Sequence, residues 1–291
     1  YNDDTNWDDN VLYIENYLIS AKTDISGEYT IKSGTSVIND YAFSGCTSLT
    51  GVVIPDSVIN ISCNMFYKCT ALTDIEIGNS VESIGDYAFY NCTGLTSIVI
   101  PDSLTEIGYY TFYGCSSLEN ITLSDNLISI DEYAFYGTAY YKDENNWEDD
   151  VLYIGNCLIK ANTSISEEYE IKDGTITIAC KAFGYCESLY YITIPDSVKN
   201  IGAEAFNGCG SLYIYVDENN EYYSDIDGVL FNKDKTKIIS YSQYNLEESY
   251  EIPDGVEIIE DYAFYGGGLT DITIPDSVIR IGICEFEYCS F

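Results

Sequence analysis

Seven cysteines fall at one place in a recurring pattern: Cys46, Cys69, Cys92, Cys115, Cys186, Cys209 and Cys289 each stand three residues after a phenylalanine. Periodic thiols are raw material for disulfides, metal clusters or redox relays. In a stacked chain they would lie about 4.7–4.9 Å apart, the spacing of neighbouring strands. That is within disulfide reach, but a ladder presents side chains in parallel, which suits the bridge dihedral poorly. The simpler expectation is a small buried thiol beside the phenylalanine, donating weakly to the backbone of the next turn. The remaining cysteines are Cys63, Cys157, Cys180 and Cys284, and the total of 11 is odd. Cys63 and Cys180 precede a ladder cysteine by six residues and Cys284 by five, so local bridges stay open. Secretion would favour disulfides and an anaerobic niche would leave thiols reduced; no required disulfide is expected.

Other chemistry is thin. With no histidine in 291 residues, the commonest general base and metal ligand is missing, along with every Ser-His-Asp or Cys-His arrangement. Zinc would also lack a CxxC pair. Asp225, Asp227, Gly228 and Asp234 superficially resemble a calcium loop, but its first ligand would fall on Tyr223, which supplies no carboxylate. The runs "YNDDTNWDDN" and "DENNWEDD" read as solvated charge. A glycosidase needs two carboxyls in one cleft, and nothing in the pattern marks such a pair. P-loop and GxSxG motifs are absent, so neither an enzyme, a metal site nor a cofactor is expected.

Bulk charge narrows the partners. Forty-eight acids against 12 bases give a net charge of −36, which repels nucleic acid and anionic lipid. No apolar run approaches the roughly 20 residues of a membrane span, so this segment is not expected to insert. The opening "YNDDTNWDDNVLYIENYLISA" matches "YKDENNWEDDVLYIGNCLIKA" from Tyr141 but lacks the "AFYGTA" before it, and the end "EFEYCSF" stops just past a Phe-Cys pair. The chain therefore reads as a segment of a longer protein, whose signal and anchor would lie elsewhere.

The elements that position these residues come from the repeat. Anchors Phe43, Phe66, Phe89, Phe112 and Phe135 are spaced by 23, as are Phe183 and Phe206; Phe264 and Phe286 are spaced by 22. After six of the anchors come Leu at +6 (Leu49, Leu72, Leu95, Leu118, Leu189 and Leu212) and alternating aliphatics such as Val52 and Ile54, Ile98 and Ile100, or Ile192 and Ile194, which read as short strands. All five prolines directly follow the isoleucine that closes such a segment, suiting a strand end and a turn. The segment before each anchor has room for about one helical turn, short or 3₁₀-like. One repeat cannot fold alone: side chains worth about 1.5–3 kcal/mol each do not offset backbone ordering of about 1–2 kcal/mol per residue. Stacked repeats bury one another's faces, which is how a solenoid is stabilised.

Leu95-x-x-Ile98-x-Ile100 matches a leucine-rich-repeat core, and "IPDSLTEIGYYTFYGC" resembles the treponemal, BspA-like class over nearly the whole chain. The resemblance implies a curved solenoid with a parallel sheet on its concave side. It also implies display on the surface of host-associated microbes and a part in adhesion. The fold expected is α/β: a right-handed leucine-rich-repeat solenoid with a parallel concave sheet, short helical or 3₁₀ convex turns and inserted β-hairpin modules. One continuous array is expected over 1–291, with hairpin modules at 1–40, 136–180 and 217–260. Regular repeats fill 41–135 and 181–216, and terminal repeats 261–291. The hairpins should turn at Glu15-Asn16, Gly155-Asn156 and near Lys233-Asp234.

Among the thirty tyrosines two sets stand out. Those at −2 and +1 from the anchors, such as Tyr87 and Tyr90, should cap the turns by packing on one another. A second set sits at sheet positions pointing away from the core: Tyr191, Tyr213 and Tyr215, with Tyr190 at the strand's entry. Tyrosine offers rigid area plus a hydroxyl, so this cluster is the candidate ligand-binding site, against cross-strand stacking for stability alone. The function expected is non-catalytic, adhesin-like recognition of a host extracellular protein or glycan through the concave face, at the cell surface or secreted. The alternatives are a structural spacer presenting another domain, and a secreted glycan-active enzyme.

Overall fold

The computed structural model describes residues 6–241, 249–265 and 269–283. Phe286, Cys284 and Cys289 lie outside them. The chain divides into two compact units, Tyr1–Asn146 and Trp147–Phe291, and each is a β-solenoid with very little helix.

In the first unit, Ser26–Thr30, Ser48–Val53 and Asp74–Glu76 form a parallel sheet, and Ser97–Val99 pairs in parallel with Asn120–Thr122. A second parallel sheet joins the two-residue strands Asn60–Ile61, Ser83–Ile84, Glu106–Ile107 and Ser129–Ile130. Ile61, Ile84, Ile107 and Ile130 stay in register across it, one per coil. Between the two kinds of strand, the proline carbonyls close tight turns: Val58 N–H donates to Pro55 and Leu104 N–H to Pro101, both at 3.0 Å.

The anchor segments close the coil, and here the expected helical turns give way to something else. The α-helix Ala139–Lys142 and the 3₁₀ turn Glu144–Asn146 are short and lie outside the anchor segments. The residue two before each described anchor has positive φ: Tyr41 (61°), Asn64 (56°), Tyr87 (56°), Tyr110 (56°), Tyr133 (58°), Lys181 (52°), Glu204 (54°) and Tyr262 (60°). The residue two after is left-handed too, glycine in some coils but Lys68, Asn91 and Tyr185 in others. Left-handed conformation costs a non-glycine residue roughly 1–2 kcal/mol. It recurs because alternation turns every second N–H towards the next coil. Asn64, Phe66 and Lys68 donate to the carbonyls of Asp86, Ala88 and Tyr90 at 2.8 Å each, while Cys69 N–H closes a turn onto Phe66. A helix would satisfy those donors internally and break the stack.

The core is a pile of anchors. Rings of Phe43, Phe66, Phe89, Phe112 and Phe135 follow one another at 5.5, 5.2, 5.2 and 5.4 Å, all within 19° of parallel. Leu72, Leu95 and Leu118, with Ile98 and Ile107, wall them in.

In the second unit, Glu168–Glu170, Tyr191–Ile194 and Tyr213–Val216 make a parallel sheet, beside the short-strand sheet of Thr177–Ile178 and Asn200–Ile201. Ser249–Glu251 pairs with Asp271–Thr273, and Ile258–Ile259 with Arg280–Ile281. Phe183 stacks on Phe206 at 5.6 Å.

Antiparallel pairs interrupt the coils at three places: Val11–Ile14 with Tyr17–Ala21, Val151–Ile154 with Cys157–Ala161, and Val229–Asn232 with Lys237–Ser240. The second strand of each joins the short-strand ladder in parallel, through Leu18 to Ile38, Leu158 to Ile178 and Ile238 to Ile259. Each interruption thus supplies a strand in place of a coil's short one.

Candidate functional site

Parallel pairing sets Tyr191 beside Tyr213 and Thr193 beside Tyr215. Ile192 and Ile194 alternate with them and are wholly buried, which turns the tyrosines to the outer sheet face. Tyr191 and Tyr213 stack at 5.7 Å and 5°. Tyr215 is 40% exposed and Tyr190 38%.

Two members differ from a free aromatic platform. Tyr190 precedes the strand, and its hydroxyl donates back to Glu167 Oε2 and Glu168 Oε1, both at 3.4 Å. Tyr213 lies against the turn between Tyr223–Ile226 and Val229–Asn232: a Cβ on Gly228 would come within 2.7 Å of its ring. Gly228 has φ +85°, so that turn needs glycine for its backbone and for the ring at once. The turn thus covers part of the Tyr213 ring, while Tyr215 is the more exposed of the two.

The calcium-like sequence has a structural task. Asp225 Oδ1 accepts the N–H of Val216 at 2.9 Å, tying the turn to the sheet edge. Among the described residues no group of three or more Cys, Asp or Glu side chains is placed to hold a metal ion.

The ladder thiols donate backwards, to the preceding coil rather than the next. Cys69, Cys92 and Cys115 donate to the carbonyls of Phe43, Phe66 and Phe89, and Cys209 to Phe183, each at 3.0 Å. Burial pushes the Cys69, Cys115 and Cys209 thiols up to about 12. None of the described cysteines, Cys63, Cys157 and Cys180 included, is in a disulfide. A thiol so buried is a poor nucleophile.

The turn tyrosines pack as two staircases in the first unit. Tyr67, Tyr90, Tyr113 and Tyr136 stack at 5.0, 5.1 and 5.4 Å, and Tyr87, Tyr110 and Tyr133 at 5.2 and 5.1 Å. Each ring packs on its neighbours, though Tyr133 and Tyr136 remain 42% and 43% exposed. Sequence reasoning passed over a shallow acidic groove of about 350 Å³ on the first unit's sheet, where Glu28, Gly51 and Asp74 lie in one row and Thr30, Val53 and Glu76 in the next. The opposite-facing register of "TDIEI" was its only signal.

Parallel strands repeating once per coil, a leucine and isoleucine wall and a phenylalanine pile define a leucine-rich-repeat protein. The chain belongs to the BspA-type leucine-rich repeat family, whose region model matches residues 36–166 and 153–290. Among solved structures, a leucine-rich cell surface protein from Faecalibacterium prausnitzii is 26% identical, over 97% of this chain and 92% of that one, with a TM-score of 0.38. The Treponema pallidum leucine-rich repeat protein is 20% identical, over 94% and 80%, at 0.32. The pneumococcal vaccine antigen PcpA is 24% identical at 0.35; the match takes in 96% of this chain but only 65% of PcpA. Nothing matches among curated protein sequences. No helix among the described residues is long and apolar enough to cross a membrane.

Proposed function

We propose that this chain is a non-catalytic recognition module of a bacterial surface protein, which contacts a host protein or glycan through the outer face of the sheet around Tyr191. One observation carries the reading: Tyr191, Tyr213 and Tyr215 are large aromatic side chains on adjacent strands, held by register and stacking yet partly open to solvent. Pre-ordered tyrosine contributes contact area and a hydroxyl at small conformational cost. Membership of a repeat family with surface-displayed relatives supports the setting, and the net charge of −36 favours neutral or basic ligands.

The test is binding of the purified chain to a panel of host matrix proteins and mucin glycans, beside a Tyr191→Ala, Tyr213→Ala, Tyr215→Ala variant checked for intact folding. Saturable binding should weaken about 30-fold in the variant, the effect of losing one strong hot spot. Binding that survives unchanged removes the site and leaves the module. Absence of binding across the panel favours the spacer, for which interlocked coils are equally suited.

A further inference from the structure

The inter-coil ladder ends abruptly in the second unit. Upstream, the N–H groups of Lys181, Phe183 and Tyr185 donate to the carbonyls of Ala203, Ala205 and Asn207 at 3.1, 2.7 and 2.8 Å. One coil later the equivalent N–H groups belong to Glu204, Phe206 and Gly208, and none has an acceptor. The antiparallel segment Tyr223–Ser240 comes next and supplies no anchor turn of its own. What remains is a cleft of about 430 Å³, with Ala203 to Asn207 on one wall and Ser240, Tyr241, Asp261 and Ala263 on the other. That volume lies within the roughly 300–1,000 Å³ of ligand sites.

A second observation points into the same cleft. Asn207 lines it and is only 8% exposed, yet its Oδ1 has no hydrogen-bond partner. Its Nδ2 donates to Glu204 Oε2 at 2.9 Å. A carboxylate only accepts, so that bond fixes the amide's orientation and leaves the oxygen as the orphan. Other coils carry tyrosine at this position, as at Tyr90, Tyr113 and Tyr136.

We infer that this cleft binds an extended polypeptide segment, which takes the place of the missing anchor turn. Its donors recur at every second residue, and an extended peptide presents carbonyls at that same interval; the upstream coils already satisfy theirs with backbone carbonyls. The segment's own N–H or a side-chain donor answers Asn207 Oδ1. The rim carboxylates are already paired, Glu204 with Lys181, Glu260 with Lys237 and Asp261 with Arg280, so the preferred segment is neutral, held by its backbone rather than by charge. This site stands apart from the tyrosines of the outer sheet face.

The experiment uses the whole chain and a phage-displayed library of random heptapeptides, from which the enriched sequences are synthesised with capped ends. Expected is enrichment of peptides without net charge. In NMR titrations they should shift the amide signals of Glu204, Phe206 and Gly208 and slow their hydrogen exchange at least tenfold. Ser240→Trp, which fills the cleft from its far wall, should weaken binding at least tenfold, with hydrogen exchange of Phe183 and Tyr185 reporting an intact ladder. The Tyr191→Ala, Tyr213→Ala, Tyr215→Ala variant should bind these peptides as the parent does. The inference is overturned if no peptide is enriched, if the peptides shift Tyr191 and Tyr213 instead, or if the three amides are already protected in the free protein. Loss of glycan rather than peptide binding in Ser240→Trp would also overturn it and reassign the cleft to a saccharide.

Discussion

The thiol of Cys92 donates to the carbonyl oxygen of Phe66 at 3.0 Å, and that same oxygen accepts the N–H of Cys69 at 3.0 Å. Both acceptor sites of the carbonyl are used, one within its own coil and one by the coil above. A cysteine three residues after an anchor phenylalanine is thus a fastener between coils. Burial raises the Cys92 thiol well above its ordinary range, with Cys115 and Cys69 adding to the shift.

This arrangement predicts silence towards thiol reagents. At pH 8 the native protein should leave Cys69, Cys92, Cys115 and Cys209 unlabelled by iodoacetamide for at least 100-fold longer than the unfolded chain, because the thiolate is the nucleophile. Half-buried Cys63 and Cys180 should react before these four. Peptide mapping by mass spectrometry distinguishes them, and rapid native labelling of Cys92 would contradict the burial argument.

The same shifts set a pH window. A thiol whose folded pKa lies above its unfolded value favours the protonated, folded state, so its contribution is complete below the unfolded pKa and fades above it. For Cys69, Cys115 and Cys209 the limits are 9 and about 12. Tyr223 adds loss in the same direction, from 10 to about 12. The urea midpoint should hold steady from pH 7 to about 8.5 and then decline as pH rises towards 12. A midpoint that climbs over that range would show that other groups dominate.

The phenylalanine pile gives the largest single effect. Phe89 is wholly buried between Phe66 and Phe112. Phe89→Ala should cost about 3–5 kcal/mol, the toll of lost transfer energy plus a cavity the stacked neighbours cannot close. Chemical denaturation monitored by circular dichroism would measure it.

Much of this was legible because burial repeats. The spacing of Phe43, Phe66 and Phe89 identifies the coil, and the isoleucine pairs identify its strands, since each coil must present the same side chains to its neighbours. The left-handed turns were hidden. Residues such as Tyr87, Tyr110 and Lys181 are poor choices for positive φ, and only the inter-coil hydrogen bonds explain them; no local propensity encodes a partner 22 residues away. The tyrosine cluster was placed by alternation, but alternation knows nothing of Gly228, which packs from another segment. The cleft beside Asn207 was invisible for a related reason: it is made by a coil that does not follow.

Left-handed anchors can be tested at Tyr41, which has φ 61° and is 59% exposed. Tyr41→Ala keeps the strained backbone, while Tyr41→Gly relieves it. Glycine should be more stable than alanine here by about 0.5–1 kcal/mol, the αL relief of roughly 1–2 kcal/mol less the extra freedom of an unfolded glycine. In an ordinary helical turn the order would reverse, so thermal denaturation of the pair decides between the two backbones.

Gly228 and Tyr213 make the sharpest test of the proposed recognition face. Gly228→Ala introduces a Cβ that would stand 2.7 Å from the Tyr213 ring, on a backbone at φ +85°. The substitution should destabilise by about 2–4 kcal/mol, part left-handed strain and part displaced ring. In a Tyr213→Ala background the ring part vanishes and only roughly 1–2 kcal/mol should remain. A double-mutant cycle would therefore show coupling of about 1 kcal/mol or more between the two positions. Its second readout is functional: a ring pushed from its stack on Tyr191 should weaken ligand binding in Gly228→Ala even where the protein stays folded. Additive energies would mean that the turn yields instead of the ring, and the tyrosine would then lose its claim to be held in place.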